Sequence, residues 1–314
     1  MLEILIIADD LTGAADCGAA CAARGLETVV VLDDSGGIPQ ADVLAFDANT
    51  RGMTAERAAA ETARIVREYP ARIVYKKIDS TLRGHVAVEV AAALEAYRGL
   101  GHPEARAVVA PAFPSMGRTT KNGRMYVRGE AIENRDVGLL LEDAETDEDL
   151  RGIVSKWMCH EAGVVWAGSA GLARWLAPER ERRDRAAAPK VTGAIVIAVG
   201  SPSRRSLEQA EALRGTEVGD DVILVGEAAA LAETIARSPE RIGGLVLTGG
   251  ETARAVLSRL GIAALRVVGE VETGVPIMIA EGSRPLPVVT KAGDFGDRET
   301  LVACRAALRG LSLD

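Results

Sequence analysis

Residues 76–84 read K-K-I-D-S-T-L-R-G and gather two Lys, an Asp, a Ser, a Thr and an Arg into one short turn. Lys and Arg side chains suit a carboxylate or phosphate, which they hold through charge-assisted hydrogen bonds. Asp79 suits sugar hydroxyls, and Ser80 or Thr81 offers a cap for a following helix. The bland alternative is a solvated turn with a capping Ser. A second cluster, A-D-D-L-T-G at residues 8–13, contains Asp9, Asp10 and Thr12. Adjacent carboxylates there could orient hydroxyls, act as a base or hold magnesium. Capping alone needs one such residue, not three. Neither Asp has a second Asp two residues on, so a haloacid-dehalogenase-type start is dropped. Arg51, in D-A-N-T-R-G, is a third candidate anion contact. The basic stretch G-R-T-T-K-N-G-R, 117–124, reads equally as a carboxylate-clamping lid or as a hairpin turn.

The second half offers glycines instead of charges. G-S-P-S begins at Gly200, T-G-G-E-T-A spans 248–253 and K-A-G-D-F-G spans 291–296. Glycine lets backbone approach a ligand closely, and free amides at a helix start suit a phosphate. Thr252 could reach a phosphate oxygen or a metal. A weaker turn of this kind, G-S-A-G-L-A, lies at 168–173. Neither a G-x-x-x-x-G-K-[ST] loop nor a G-x-G-x-x-G with its acidic partner occurs, which disfavours the conventional P-loop and dinucleotide readings.

Each cluster needs an element on either side to hold it. The apolar runs 2–8, 27–32, 43–46, 73–75, 106–110, 164–167, 194–199, 222–225, 244–247 and 288–290 read as strands. Between them, 14–24, 54–69, 86–97, 147–162, 228–237, 254–260 and 298–308 have helical composition, as does the chain from Ser203 onwards. Strand, polar turn, helix is the pattern of an α/β fold with mainly parallel sheets, whose ligands bind at the carboxyl ends of strands. The charged, proline-bounded stretch 178–189 reads as a linker. We therefore expect two α/β domains, 1–180 and 190–314, with a cleft between them.

At 314 residues the chain is long enough for two cores, and 48% hydrophobic residues exclude disorder. Only 3% are aromatic, so the core must be Ala, Val, Leu and Ile. A formal net charge of -8 argues against nucleic acid or an anionic membrane as partner. Cys17, Cys21, Cys159 and Cys304 lack metal-ligand spacing. The start resembles no signal peptide and no run approaches a membrane span, so a reducing cytoplasm is the default.

Turns suited to a small hydroxy acid in one half, and to a phosphate chain in the other, suggest a phosphotransferase. At this level a non-catalytic sugar-acid and nucleotide sensor, and an oxidoreductase with a nucleotide cofactor, stay open. The motifs taken together go further. A-D-D-L-T-G, K-K-I-D-S-T-L-R-G, P-A-F-P-x-x-G-R-T-T, G-S-A-G-L-A, T-G-G-E-T-A, G-E-V-E-T-G-V-P and K-A-G-D-F-G occur in this order from Ala8 to Gly296. The set resembles the four-carbon acid sugar kinase family, whose members phosphorylate D-threonate, 3-oxo-tetronate and related acids.

The resemblance implies an N-terminal sugar-acid-binding domain and a C-terminal nucleotide-binding domain. It implies ATP as donor, Mg²⁺ as helper, the terminal 4-hydroxyl as acceptor, and allows a homodimer. Carried over by motif, Asp9, Asp10, Thr12, Arg51, Lys77, Asp79, Ser80 and Arg83 line the substrate side. Ser201, Gly249, Gly250, Glu251, Thr252 and Gly293 line the nucleotide side. In the mechanism this implies, Arg83 and Arg51 hold the substrate carboxylate. Asp10 or Asp79 orients the 4-hydroxyl and takes its proton, and Lys77 neutralises the transferring phosphoryl. No residue is assigned to the metal. The chain departs from the family in being shorter, around 130–145 and between 206 and 243. It also has Asp294 where Gly or Asn is common, and Asp294 is not assigned as the base.

Overall fold

The computed structural model of the chain describes residues 2–132, 138–160, 162–181, 191–281 and 284–311. They form two compact units: Met1–Thr28 with Gln40–Glu181, and Val29–Pro39 with Arg182–Asp314.

The first unit begins with β1 (Leu2–Ala8) and α1 (Leu11–Ala22); β2 (Thr28–Val31) belongs from Val29 on to the second unit. Then come β3 (Val43–Asp47), α2 (Ala55–Glu68), β4 (Ala71–Lys77), α3 (Val86–Gly99) and β5 (Arg106–Ala110). A small antiparallel sheet of β6 (Arg118–Lys121), β7 (Arg124–Val127) and β8 (Glu130–Ala131) follows. The unit closes with α4 (Asp147–Met158), β9 (Val164–Gly168) and α5 (Ala170–Leu176). Its main sheet runs β3-β1-β4-β9-β5, every pair parallel. Ile4, Leu5, Ile6, Ile7 and Ala8 are wholly buried, as a parallel strand covered on both faces must be. Register decides what this sheet presents. Ala8 lies level with Asp47 on one side and Lys77 on the other. The turns after β1, β3 and β4 therefore leave the sheet side by side.

The stretch 117–124 is a hairpin: Asn122 and Gly123, with φ of 51° and 68°, connect β6 to β7. Asn-Gly with both residues left-handed is the tight turn that matches strand twist.

The second unit contains β10 (Ala194–Val199), α6 (Arg204–Arg214), β11 (Val222–Val225), α7 (Ala228–Ile235), β12 (Ile242–Thr248) and α8 (Gly250–Arg259). β13 (Ala264–Glu272), β14 (Val275–Ala280), β15 (Leu286–Lys291) and α9 (Thr300–Arg309) complete it. β11-β10-β12-β15 are parallel, and β14 and β13 extend the sheet antiparallel. Again the strand ends are level: Val199 pairs with Thr248, and Thr248 with Lys291. The three glycine turns thus emerge together over a core that includes Ile195, Ile197, Val246, Val289 and Leu301.

Two features differ from the linear reading. The hairpin β13–β14 was not among the expected strands, although a Glu-Thr-Gly turn joins its apolar runs. Val29–Pro39 groups with the second unit because Val29, Val30 and Val31 pair with β13, and Leu32 N–H donates to Ala263 O at 2.8 Å. Of the expected linker 178–189, the described part ends at Glu181. Arg180 is held within the first unit, its N–H on Arg24 O at 2.9 Å and its guanidinium on Asp42 at 2.9 Å. Residues 182–189 lie outside the described residues. Among the described residues, no helix is long and apolar enough to cross a membrane.

Candidate active site

In the first unit the level strand ends bring Asp9, Asp10, Arg51, Lys77, Asp79 and Arg83 into one network. Arg51 reaches from the turn after β3. Its Nε donates to Asp9 Oδ2 at 2.8 Å and its Nη1 to Asp10 Oδ2 at 2.7 Å, and its Nη2 lies 3.9 Å from Asp79 Oδ1. Asp10 is also the N-cap of α1: its Oδ1 accepts from Gly13 N–H at 2.8 Å, and Thr12 donates to its Oδ2 at 3.1 Å. Asp10 thus caps α1 through Oδ1, while its Oδ2 pairs with Arg51 and Thr12. Asp9 takes no part in capping. Its Oδ1 is buried without a hydrogen-bond partner.

Asp79 is fully engaged. Arg83 grips it in a fork, Nε on Oδ2 at 3.0 Å and Nη2 on Oδ1 at 2.7 Å. Thr81 adds its N–H on Oδ2 at 3.0 Å and its hydroxyl on the same oxygen. Burial works to raise the Asp79 pKa, but Arg83, Thr81 and Lys77 together hold the carboxyl well below the ordinary range. Asp9 behaves alike: burial opposes its charge, and Lys76, Lys77 and Arg51 overcome it. Lys77 ends β4 with its ammonium against α1; a Cβ on Gly13 would come within 2.9 Å of Lys77 Nζ and of Asp10 Oδ1. Burial pulls the Lys77 pKa down, yet Cys17, Asp9, Asp10 and Asp79 raise it above the usual lysine value.

Two buried features set this network in place. Leu82 has φ of 57°, a left-handed conformation costing a non-glycine residue about 1–2 kcal/mol. Its side chain is 2% exposed among Ile78, Val86, Val90 and Met125, and such burial contributes about 1.5–3 kcal/mol, more than the strain over most of that range. Burial wins, and the turn that results points Arg83 back onto Asp79. Behind β4, Lys76 Nζ lies 3.1 Å from Glu89 Oε1, which also accepts from Thr50 Oγ1 at 2.5 Å and Thr62 Oγ1 at 3.5 Å. That cluster anchors Thr50, the residue before Arg51. Ser80 is buried in the turn. Neither Ser80 nor Thr81 caps α3; that helix starts at Val86 with His85 as N-cap, because Thr81 is spent on Asp79.

In the second unit Ser201, Gly249, Thr252 and Gly293 also converge. A Cβ on Gly293 would lie 2.1 Å from Ser201 Oγ, one on Gly249 3.4 Å from Ser201 Cβ, and one on Gly200 1.9 Å from Thr252 Oγ1. Gly249, at φ of 91°, is the N-cap of α8, and Gly250 opens the helix. Glu251 is exposed in the first helical turn and Thr252 is buried. The Gly249 amide donates to Lys291 O at 2.8 Å, joining two of the three turns. The arrangement is a backbone-lined cradle closed by small side chains, which suits phosphate oxygens.

Sequence reasoning missed Lys76, Glu89, Lys291, Ser203, Ser206 and Gln209. Lys76 and Lys291 are lysines at the carboxyl ends of largely apolar strands, a signal that could have singled them out. Nothing local marks Glu89 or Gln209. The donors to Glu89, Thr50 and Thr62, and the acceptors from Gln209, Phe295 and Asp297, are far along the chain, and Lys76, the nearest partner of Glu89, sits in another element.

Residues 4–138 match a family described as a sugar-binding N-terminal domain, and residues 185–301 one described as a nucleotide-binding C-terminal domain. A D-threonate kinase of Cupriavidus necator is 33% identical over an alignment covering 95% of this chain and 96% of that protein. That alignment spans 404 positions against a chain of 314, so the relative carries segments with no counterpart here. A D-threonate kinase of Salmonella typhimurium is 28% identical, with 96% and 97% covered. A solved structure of a Salmonella typhimurium LT2 protein described as a tRNA synthase shares the fold, with a TM-score of 0.74 at 20% identity, over 97% of this chain and 99% of the other.

Proposed function

The chain belongs to the four-carbon acid sugar kinase family, and from that premise we propose that it transfers the terminal phosphoryl group of ATP to the 4-hydroxyl of a four-carbon sugar acid. D-threonate is the first candidate. The observation that carries the reading is the network at the ends of β1, β3 and β4, which offers a partly free guanidinium beside a set of paired carboxylates. Nη1 of Arg83 meets no acceptor among the described residues, and the side chain is 58% exposed. That nitrogen, with Arg51, receives the substrate carboxylate.

Phosphoryl transfer asks for positioning and charge neutralisation more than for covalent chemistry. Of the two carboxylates considered as base, Asp10 is the better. Asp79 is held as an ionised pair with Arg83 and has little affinity for a proton. Asp10 therefore orients the 4-hydroxyl and takes its proton, Asp79 positions Arg83, and Lys77 neutralises charge on the phosphoryl. Ser201, Gly249, Gly250, Thr252 and Gly293 hold the donor phosphates.

Among the described residues no group of three His, Cys, Asp or Glu side chains could hold a metal ion by itself. Magnesium arriving with the phosphates needs only one or two protein carboxylates. Glu251 and Asp294, both exposed beside turn glycines, fit that requirement. When bound, the ion neutralises phosphate charge. The four cysteines are free, which accords with a cytoplasmic location.

ADP release from ATP and Mg²⁺ across D- and L-threonate, D- and L-erythronate and the oxo-tetronates tests the reading. Turnover with one acid and not without it is expected. No turnover with any acid, while ATP still binds by calorimetry, would leave a sensor in its place.

A further inference from the structure

Lys291 is the last residue of β15, and its side chain is wholly buried. A buried ammonium is ordinarily paired with a carboxylate. Among the described residues Lys291 forms no ion pair. Its Nζ donates instead to three backbone carbonyls of the turn that follows: Ala292 O at 2.8 Å, Gly293 O at 2.9 Å and Phe295 O at 3.1 Å. Three N–H groups meet three oxygens, so the ammonium is saturated. The same oxygens have further donors: Phe295 N–H donates to Ala292 O at 3.1 Å, and the rest come from α6 or its N-cap. Ser203 Oγ and Ser206 Oγ each donate to Gly293 O at 2.9 Å, and Gln209 Nε2 donates to Phe295 O at 3.1 Å.

This inward pull has a stereochemical consequence. Across a trans peptide the carbonyl of one residue and the N–H of the next point in opposite directions. With the carbonyls of Ala292 and Gly293 turned onto Lys291, the amides of Gly293 and Asp294 must face away from it. Neither amide meets an acceptor among the described residues. A Cβ on Gly293 would meet Ser201 Oγ at 2.1 Å, so Ser201 packs directly against this turn.

We propose that Lys291 is the built-in monovalent cation of the nucleotide-side cradle, an ammonium in a carbonyl cage that turns the Gly293 and Asp294 amides outward to receive a phosphate oxygen. The phosphate part rests on the reading of these turns as the donor site; the cage does not. Lys291 is thus a positioning residue, and its removal should leave a site for potassium or a small alkylammonium ion, both of which suit carbonyl oxygens.

The test compares wild type, Lys291→Ala and Lys291→Met in choline, potassium and ethylammonium chloride at equal ionic strength, by thermal unfolding and by steady-state kinetics. Wild type is expected to be indifferent to the salt. In choline, Lys291→Ala should raise the KM for ATP by about tenfold or more, the equivalent of about 1.4 kcal/mol, and leave the KM for the acid within about twofold. Potassium or ethylammonium should restore at least half of its lost Tm and most of its ATP affinity. Lys291→Met, whose side chain fills the channel, should stay weak in every salt. Solubility of Lys291→Ala only with potassium or ethylammonium would support the proposal. Insolubility in all three salts would overturn it. So would wild-type ATP affinity in choline, or losses that no cation reverses. A wild-type protein that neither binds nor uses ATP would sink the kinase reading alone, since rescue of Tm would still report on the cage.

Discussion

Asp79 and Asp10 both act on the charge of Lys77 and have opposite prospects as a base. Both Asp79 oxygens are taken by Arg83 and Thr81, while Asp10 has given one oxygen to a helix cap and shares the other between Arg51 and Thr12. Asp10→Asn keeps the cap and removes the proton acceptor, so kcat should fall by about 10²–10⁴ with the fold intact. Asp79→Asn should act mainly on the KM for the acid, because it releases Arg83. Steady-state kinetics of the two variants separates the roles, and equal kcat losses would contradict the assignment. The low Asp79 pKa also has a stability consequence. A carboxyl depressed in the folded state contributes stability that is fully present above the unfolded value, about 4, and is lost as pH falls toward the folded value. Denaturant unfolding should therefore show wild type more stable than Asp79→Asn at about pH 6, with the gap narrowing by about pH 2.5. A gap independent of pH would mean that the pair with Arg83 is not what stabilises the turn.

At the level of elements, the site depends on strand ends being level. Ala8 against Asp47 and Lys77, and Val199 against Thr248 against Lys291, are the registers that collect turns far apart in the chain. The strand-turn-helix order, and with it the fold class, was legible because apolar runs and polar turns alternate over most of the chain. The registers were not, since pairing between non-adjacent strands leaves no local mark. Ser80 and Thr81 show the same limit. Their type suggests a cap, but Asp79 lies two residues before Thr81 and claims its hydroxyl. The β13–β14 hairpin went unread, and with it the strand that draws Val29–Pro39 into the second unit. One close approach between elements is directly testable. A Cβ on Gly200 would sit 1.9 Å from Thr252 Oγ1 and 3.0 Å from Thr252 Cβ, so Gly200→Ala must push β10 and the start of α8 apart. It should destabilise by about 1–3 kcal/mol. Since the two residues touch, adding Thr252→Ala should recover part of that loss. Denaturant titrations of the single and double variants check this, and strictly additive losses would contradict the contact.

Across the whole molecule, a chain of net charge -8 is proposed to bind two anionic reactants. Local chemistry makes that reasonable: Arg51, Lys77 and Arg83 serve one turn cluster, and backbone amides with a buried lysine serve the other. The chain has 314 residues, whereas its alignment with the Cupriavidus necator relative spans 404 positions while covering 95% of the chain. The motifs that build either cluster are all present in order. The account's central claim is that the phosphoryl group arrives on the terminal oxygen of a four-carbon acid. Incubation with ATP, Mg²⁺ and D-threonate, followed by phosphorus–proton correlated NMR of the product, tests it most directly. The account predicts a new phosphomonoester signal coupled to the methylene protons of the terminal carbon. A signal from inorganic phosphate alone, or coupling to an internal carbon's proton, would contradict it.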